Sequence, residues 1–285
     1  MKRVGFIGLG VMGVPMALNL SRVFTLSVWN RSPSKYPLLL QAGAKIAKTS
    51  TAVVKNSEVI FTMLFNETAM REVLTDEFKH AIRGKTLINT SSVSVQFSQY
   101  LAKQIDRSGG SFIEMPVSGS RIPAEQGSLV GMIAGDPDVA ESIKPLVEPI
   151  TNTAVYCGPI GSGLKTKYAT NLFLITMTAG LAEAMALAQA QDLDAEAFAQ
   201  VLDAGPMASA YSKLKMDKMI KQDWTAQASI QDCFNSTELI KLASEQANVH
   251  SPLISLCNLL YKQSIQSGIG EEDMIAINKT LASRT

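Results

Sequence analysis

The chain lacks any excess of charge. Among its 285 residues, 26 Lys and Arg face 25 Asp and Glu, for a formal net charge of +1. That balance leaves no electrostatic footprint for nucleic acid or for an anionic membrane, so the expected partner is a small molecule. Cysteine is scarce: Cys157, Cys233 and Cys257 stand far apart and form no Cys-x-x-Cys pair, which argues against a zinc site or a disulfide framework. No metal is expected, and the expected compartment is the reducing cytoplasm. The two histidines, His80 and His250, lie away from the motifs described below, so no catalytic histidine is assigned. A long apolar run is missing too. The charge-free stretch from Tyr168 to Ala182 is shorter than the roughly 20 residues a membrane span needs and reads as a buried helix. Met1-Lys2-Arg3 mimics the start of a signal peptide, but Gly5, Gly8 and Gly10 break the apolar run behind it and no small-residue cleavage site follows. No internal repeat or low-complexity segment stands out, and the length suits one large or two medium domains.

What the chain does have is glycine in a particular place. Val4-Gly5-Phe6-Ile7-Gly8-Leu9-Gly10-Val11-Met12-Gly13 reads as a short apolar strand running into three glycines spaced to cradle a dinucleotide pyrophosphate. Gly8 allows the tight turn, Gly10 lets backbone approach the phosphates, and Gly13 lets the next helix pack on its strand. That helix, from about Met12 to Arg22, points its free N–H groups and positive dipole end at the pyrophosphate. Leu9 and Met12 belong to the same cofactor-binding turn.

Strand-like runs follow at Leu26–Trp29, Val59–Leu64, Thr86–Asn89, Phe112–Glu114, Val130–Ala134 and Ala154–Cys157, with helical patterns at Pro33–Ala42, Glu67–Leu74 and Val95–Arg107. The alternation predicts an α/β fold, a Rossmann-type, mostly parallel, doubly wound sheet. After the turn-rich Gly158-Pro159-Ile160-Gly161-Ser162-Gly163 the strand signal almost vanishes. Helical periods take over from about Leu164 to Gln191, Ala195 to Leu202, Ala210 to Lys221, Gln231 to Ala247 and Pro252 to Ser267. The expected organisation is a dinucleotide-binding domain over 1–161 and an all-α domain for substrate binding and oligomerisation over 162–285.

In a doubly wound sheet, chemistry is expected just beyond the carboxyl ends of the strands. After the second strand, Asn30, Arg31 and Ser32 offer an amide, a guanidinium and a hydroxyl where NAD-preferring enzymes usually place an acid. They suit a 2′-phosphate, so NADP(H) is favoured over NAD(H), although a solvated Arg would read the same way. Met63 and Leu64 wall the cofactor or form a plain loop. Ser118, with the amides around Gly119 and Ser120, suits a carboxylate, or is only a turn. Lys167 and Asn171 stand at i and i+4 on one helical face. A partly desolvated ammonium there suits proton transfer, but spacing alone favours a solvated first turn for Lys165 and Lys167.

Taken together, these segments resemble the β-hydroxyacid dehydrogenase family over nearly the whole chain. Gly-Leu-Gly-x-Met-Gly at 8–13, Pro-Val-Ser-Gly at 116–119 with Ala124 and Gly127 beyond, and Gly-x-Gly-x-x-x-Lys-x-x-x-Asn at 161–171 occur in the family's order and spacing. Trp-Asn-Arg-Ser and Pro-Val-Ser-Gly-Ser-x-x-Pro-Ala-Glu look most like its NADPH-dependent aldehyde-acid reductases. The resemblance implies that Lys167 is the acid/base, that Asn171 helps position it and the substrate, and that Ser118 and Gly119 hold the substrate carboxylate. It places Ser92 near the nicotinamide, where a Thr is usual. It also implies a long interdomain helix and a homodimer or homotetramer built through the helical domain. One departure stands out: a late Lys-Asp, whose Lys reaches the cofactor, is replaced by Asn235 and Ser236, and neither Gln231 nor Asp232 restores the charge. The reaction implied is hydride transfer between NADP(H) and a short β-hydroxy acid or aldehyde or keto acid. The alternatives are a cofactor-binding scaffold with little catalysis, which the missing Lys favours, and an imine reductase-like enzyme, which the retained Lys167 argues against. The helical half is too short for the extended form of 6-phosphogluconate dehydrogenase. Arg121, Met207, Tyr211 and Phe234 are the expected specificity side chains.

Overall fold

In the computed structural model, which describes residues 2–282, the first half of the chain builds one mixed sheet. Its strands are β1 (Arg3–Ile7), β2 (Thr25–Trp29), β3 (Lys45–Ile46), β4 (Val59–Thr62), β5 (Thr86–Asn89), β6 (Ser111–Glu114), β7 (Val117–Ser118), β8 (Leu129–Gly135) and β9 (Thr151–Gly158). The order β3-β2-β1-β4-β5-β6 is parallel throughout, β8 runs antiparallel to β6 and β7, and β9 pairs parallel with β8. This is the Rossmann strand order with an added antiparallel edge. Val59, Ile60, Phe61 and Thr62 are all buried, as expected for a central strand covered by helices on both faces. The main core cluster gathers Val4, Phe6, Val28, Phe61, Ile88 and Ile113 from the sheet with Met16, Leu20, Ile143 and Val147 from helices over it. Phe6 and Phe61 stack with ring centroids 6.1 Å apart.

Several elements differ from the sequence-based expectation. Pro33–Ala42 is a 3₁₀ turn at Pro33–Lys35 followed by a helix at Tyr36–Gln41, because Pro37 has no N–H to carry one continuous ladder across both. The strand expected to reach Leu64 ends at Thr62. Ser118, expected in a turn, is the last residue of a two-residue strand paired with Val130. β6 and β7 lie end to end along β8, interrupted at Met115-Pro116, and Met132 N donates to the Pro116 carbonyl across the break at 3.0 Å. Helices at Ser50–Asn56, Asp76–Ala81, Arg121–Glu125 and Pro137–Val147 are additional.

By contacts the chain divides into two compact units, Met1–Lys167 and Tyr168–Thr285. The division falls inside the 29-residue helix Ser162–Ala190. That helix extends beyond the charge-free run at both ends and is long and apolar enough to span a membrane, with less than half of its most apolar window buried. The second unit continues with helices Ala195–Ala204, Ala210–Ile220, Ile230–Gln246, Pro252–Gln266 and Ile277–Ala282. Three of their starts are set by side chains: Asp194 accepts from Ala197 N, and Ser209 with Ser212 and Ser229 with Asp232 form reciprocal capping boxes. Ile230, Cys233, Thr237 and Ile240 face the helix bearing Ile254, Cys257, Asn258 and Tyr261, and Asn258 Nδ2 donates to Thr237 Oγ1 at 2.7 Å.

Candidate active site

Strand register brings the predicted segments to one edge. Ile7 pairs with both Trp29 and Thr62, Thr62 with Asn89, and Asn89 with Glu114, so five parallel strands end in a single row. Residues 8–13, 30–32, 63–64, 90–92 and 115–120 all start from it, at the carboxyl edge where doubly wound sheets bind ligands.

The three glycines of the first turn sit in three different settings, and two of them leave no room for a Cβ. Gly8 adopts φ +100°, and a Cβ there would meet the Met63 carbonyl oxygen at 2.2 Å. A Cβ on Gly13 would lie 1.9 Å from the Gly8 carbonyl oxygen, so the helix could not approach its strand. At Gly10 a Cβ would meet nothing within 4 Å, which leaves bare backbone facing open space. The helix Gly13–Ser21 begins at Met12 with no side-chain cap and no acid in its first turn, so its dipole end is not neutralised by the protein. Open space at Gly10 and an uncapped helix start fit a dinucleotide pyrophosphate. We expect Gly13→Ala to cost about 3 kcal/mol, the upper range for forcing extra volume into a filled contact, and to lower the denaturant midpoint accordingly. An unchanged midpoint would show that the turn relaxes freely.

Asn30 is committed within the protein. Its Oδ1 accepts from Leu9 N at 2.9 Å, its Nδ2 donates to the Ser32 carbonyl at 2.8 Å, and its backbone N–H and carbonyl both bond Tyr36 OH. The amide thus fastens the second strand's loop to the glycine turn, leaving Arg31 and Ser32 as the exposed groups of this segment. Arg31 Nη1 lies 3.6 Å from Glu72 Oε2, a solvated pair that holds the guanidinium weakly.

Toward the sheet centre, Leu64 N donates to Ser91 Oγ at 2.8 Å and Thr90 Oγ1 to the Thr62 carbonyl at 2.8 Å, tying the loops after β4 and β5 together. Met63 and Leu64 are half-buried there. Lys167 Nζ donates to Ser92 Oγ at 2.6 Å and to the Val117 carbonyl at 3.0 Å. Lys165 is exposed and Lys167 half-buried, so the solvated-turn reading holds for the first lysine and not for the second. Gly119, φ +124°, turns the chain where a Cβ would meet Leu129 Cδ2 at 2.7 Å, and the Ser120 carbonyl accepts from Ala124 N at the start of Arg121–Glu125. Arg121 Nε lies 3.7 Å from Glu125 Oε1. Lys167, Ser92, Ser118 and Gly119 are therefore gathered at one edge of the sheet.

Sequence reasoning passed over Glu114. This buried carboxylate accepts from Ser98 Oγ at 2.5 Å and Gly161 N at 3.0 Å on Oε2, and from Leu164 N at 2.9 Å on Oε1. Burial pushes the carboxyl above its usual range, opposed by the hydrogen bonds from Ser98 and the Leu164 and Gly161 amides. The available signal was an acid in the otherwise apolar run Phe112-Ile113-Glu114-Met115-Pro116-Val117.

In the second unit, Asn171 is half-buried on the helix that carries Lys167. Asn235 accepts from Gln231 Nε2 at 3.1 Å, and Asp232 caps its own helix through Ser229, so both neighbours of the missing Lys-Asp have local structural tasks. Tyr211, expected to read substrate, turns inward: its hydroxyl bonds Thr178 Oγ1 at 2.6 Å and Met274 Sδ at 3.3 Å, and burial pushes its pKa well up. Met207 is exposed and Phe234 half-buried.

Residues 3–158 match the family model described as the NAD binding domain of 6-phosphogluconate dehydrogenase, and residues 161–281 match NAD-binding of NADP-dependent 3-hydroxyisobutyrate dehydrogenase. The chain is 30% identical to glyoxylate/succinic semialdehyde reductase 1 of Arabidopsis thaliana, covering 96% of each protein. It is also 30% identical to 2-hydroxy-3-oxopropionate reductase of Escherichia coli (strain K12), over 98% of this chain and 97% of that one. A 3-hydroxyisobutyrate dehydrogenase from Salmonella typhimurium shares the fold with a TM-score of 0.89 at 22% identity, over 98% of this chain and all of the other. With a nucleotide turn built as the dinucleotide requires and both halves matched in order, the chain belongs to the β-hydroxyacid dehydrogenase family and is an NAD(P)-dependent oxidoreductase acting on a small molecule.

Proposed function

We propose that the protein is an NADP(H)-dependent reductase of a short aldehyde or keto acid, with Lys167 as proton donor to the carbonyl oxygen. The observation that carries this reading is the double anchoring of Lys167 Nζ on Ser92 Oγ and the Val117 carbonyl. The second anchor is the residue just before Ser118, so an ammonium and a hydroxyl-plus-amide carboxylate seat share one strand end. Residues 8–13 hold the pyrophosphate, with the walls supplied by Met63 and Leu64, and the cofactor supplies the hydride when bound. Ser118 Oγ and the amides near Gly119 and Ser120 donate to the substrate carboxylate and fix the carbonyl carbon. Lys167 Nζ stabilises the developing alkoxide and gives it a proton, and Ser92 holds the ammonium through that change. Asn171, one helical turn beyond, is assigned the positioning of the lysine. The substrate class agrees with the names of the plant and bacterial relatives; a homo-oligomer follows from the same family reading, and a cytoplasmic location from the scarce, unpaired cysteines.

The test is oxidation of NADPH and of NADH by the purified protein with glyoxylate, succinic semialdehyde, methylmalonate semialdehyde and tartronate semialdehyde. Turnover preferring NADPH on one of them supports the reading. Tight NADPH binding with no turnover on any would favour a cofactor-binding scaffold. Arg31 supplies a further expected outcome. Loss of a charge-assisted contact to the 2′-phosphate in Arg31→Ala should raise the KM for NADPH about tenfold and leave that for NADH unchanged. Equal effects on both cofactors would remove Arg31 from 2′-phosphate recognition.

A further inference from the structure

We infer that Glu114 is the positioning residue of the site: its buried carboxylate fixes the first turn of the Ser162–Ala190 helix on the strand that leads to Val117 and Ser118, and so sets where Lys167 Nζ falls. The inference rests on the assignment of Lys167 above. A carboxylate among apolar strand residues is costly to bury, and this one is kept by three donors on two other segments, Ser98 on the helix Val95–Arg107 and the Gly161 and Leu164 amides. Gly161 and Leu164 are among the orphan donors that a helix start leaves unsatisfied, so Glu114 caps the helix from a distant strand. The seat is tight. A Cβ on Gly163 would meet Met132 O at 2.5 Å, Glu114 Oε1 at 3.0 Å and Pro116 Cδ at 3.2 Å. Leu164 lies one turn before Lys167, and Glu114 lies three residues before Val117, whose carbonyl holds Nζ. One side chain therefore couples the helix that bears the ammonium to the strand end that receives it.

Glutamine at 114 keeps the shape but turns one acceptor into an NH₂ group that faces N–H donors, and a donor facing a donor cannot hold the helix start. Glu114→Gln should lower kcat about 10²-fold, the scale of a roughly 1 Å misplacement of a reacting group. The KM for the carbonyl acid and the Kd for NADPH should stay near wild-type values, because the loss falls on the transition state. Independently of activity, amide hydrogen exchange in peptides covering 161–168 should quicken in this variant. Where Glu114→Gln fails to fold, Ser98→Ala, which removes a single donor, should show the same pattern with a kcat loss of about tenfold. Lys167→Ala is measured alongside. If it is inactive while Glu114→Gln keeps wild-type kcat and unchanged exchange at 161–168, the positioning role is overturned and the lysine assignment stands. If Lys167→Ala turns over normally, the lysine assignment fails and this inference falls with it. A lower melting temperature with normal kcat below it would reduce Glu114 to a structural acid and overturn the inference too.

Discussion

Lys167→Ala is expected to lose between about 10² and 10⁴ in kcat, the range a positioned general acid contributes, with NADPH affinity retained. The separation follows from where the ammonium is held. It donates to Ser92 Oγ in the loop after β5 and to the Val117 carbonyl within β7. The nucleotide turn is organised without it, by Trp29, Asn30 and Met63 around Gly8 and Leu9. Lys167→Met would keep the aliphatic stem and remove only the charge and proton, so it should be as inactive as the alanine variant. Methionine more active than alanine by more than about tenfold would mean that the stem's packing carries much of the effect, not proton donation. Stopped-flow NADPH binding and steady-state turnover on the same preparations separate the two terms. Near-normal turnover in either variant removes Lys167 from the mechanism.

Much of this site was legible because its signals are local. Gly8, which turns at φ +100°, and Gly13, which admits the helix, lie within six residues, and each is needed for the reason its spacing suggests, while Gly10 between them faces open space. The strand ends Trp29, Ile7, Asn89 and Glu114 were implied by apolar runs alone, since a parallel strand buried on both faces has little polar sequence until it ends; the strand expected to reach Leu64 stops at Thr62 instead. Elements with weaker local signal were missed. Ser50–Asn56 carries β-branched Thr51, Val53 and Val54, which blur helix and strand patterns, although Thr49 accepts from Ala52 N as a cap. Pro137–Val147 contains Pro145, which masks its helical period. Its real marker was Asp136 before Pro137, the cap that accepts from Asp138 and Val139 amides. The task of Glu114 was not legible, because its donors lie 16, 47 and 50 residues away. Spacing also could not tell Lys165 from Lys167. Their difference is burial, which depends on how β5 and β7 meet the helix start.

The same distance barrier hid the buried ion pair of the helical unit, and there the largest stability effect is expected. Lys215 Nζ and Asp273 Oδ1 stand 2.6 Å apart, with side chains 2% and 0% exposed. Asp273 also accepts from Ile275 N at 3.1 Å on Oδ1 and from Gln227 N at 2.9 Å on Oδ2, so it organises a loop as well as neutralising a cation. Burial pushes the Lys215 ammonium below its usual range, opposed by the charge and hydrogen bond of Asp273, and Tyr211 adds its ring face 5.5 Å away. Asp273→Ala removes the counter-charge and the acceptor of two amides at once. It should destabilise by about 3–5 kcal/mol, the cost of leaving a buried charge uncompensated. Lys215→Met should cost less, because the remaining carboxylate still accepts two amides and the methionine fills the stem's volume. Combining Lys215→Met with Asp273→Asn should recover part of what Asp273→Ala loses, since no charge is left buried and the amide oxygen accepts one of the two backbone N–H groups, while its NH₂ faces the other. Urea unfolding of the four proteins reads these differences directly. A loss below about 1 kcal/mol for Asp273→Ala would place the pair in the solvated class and show that water reaches Lys215 in solution.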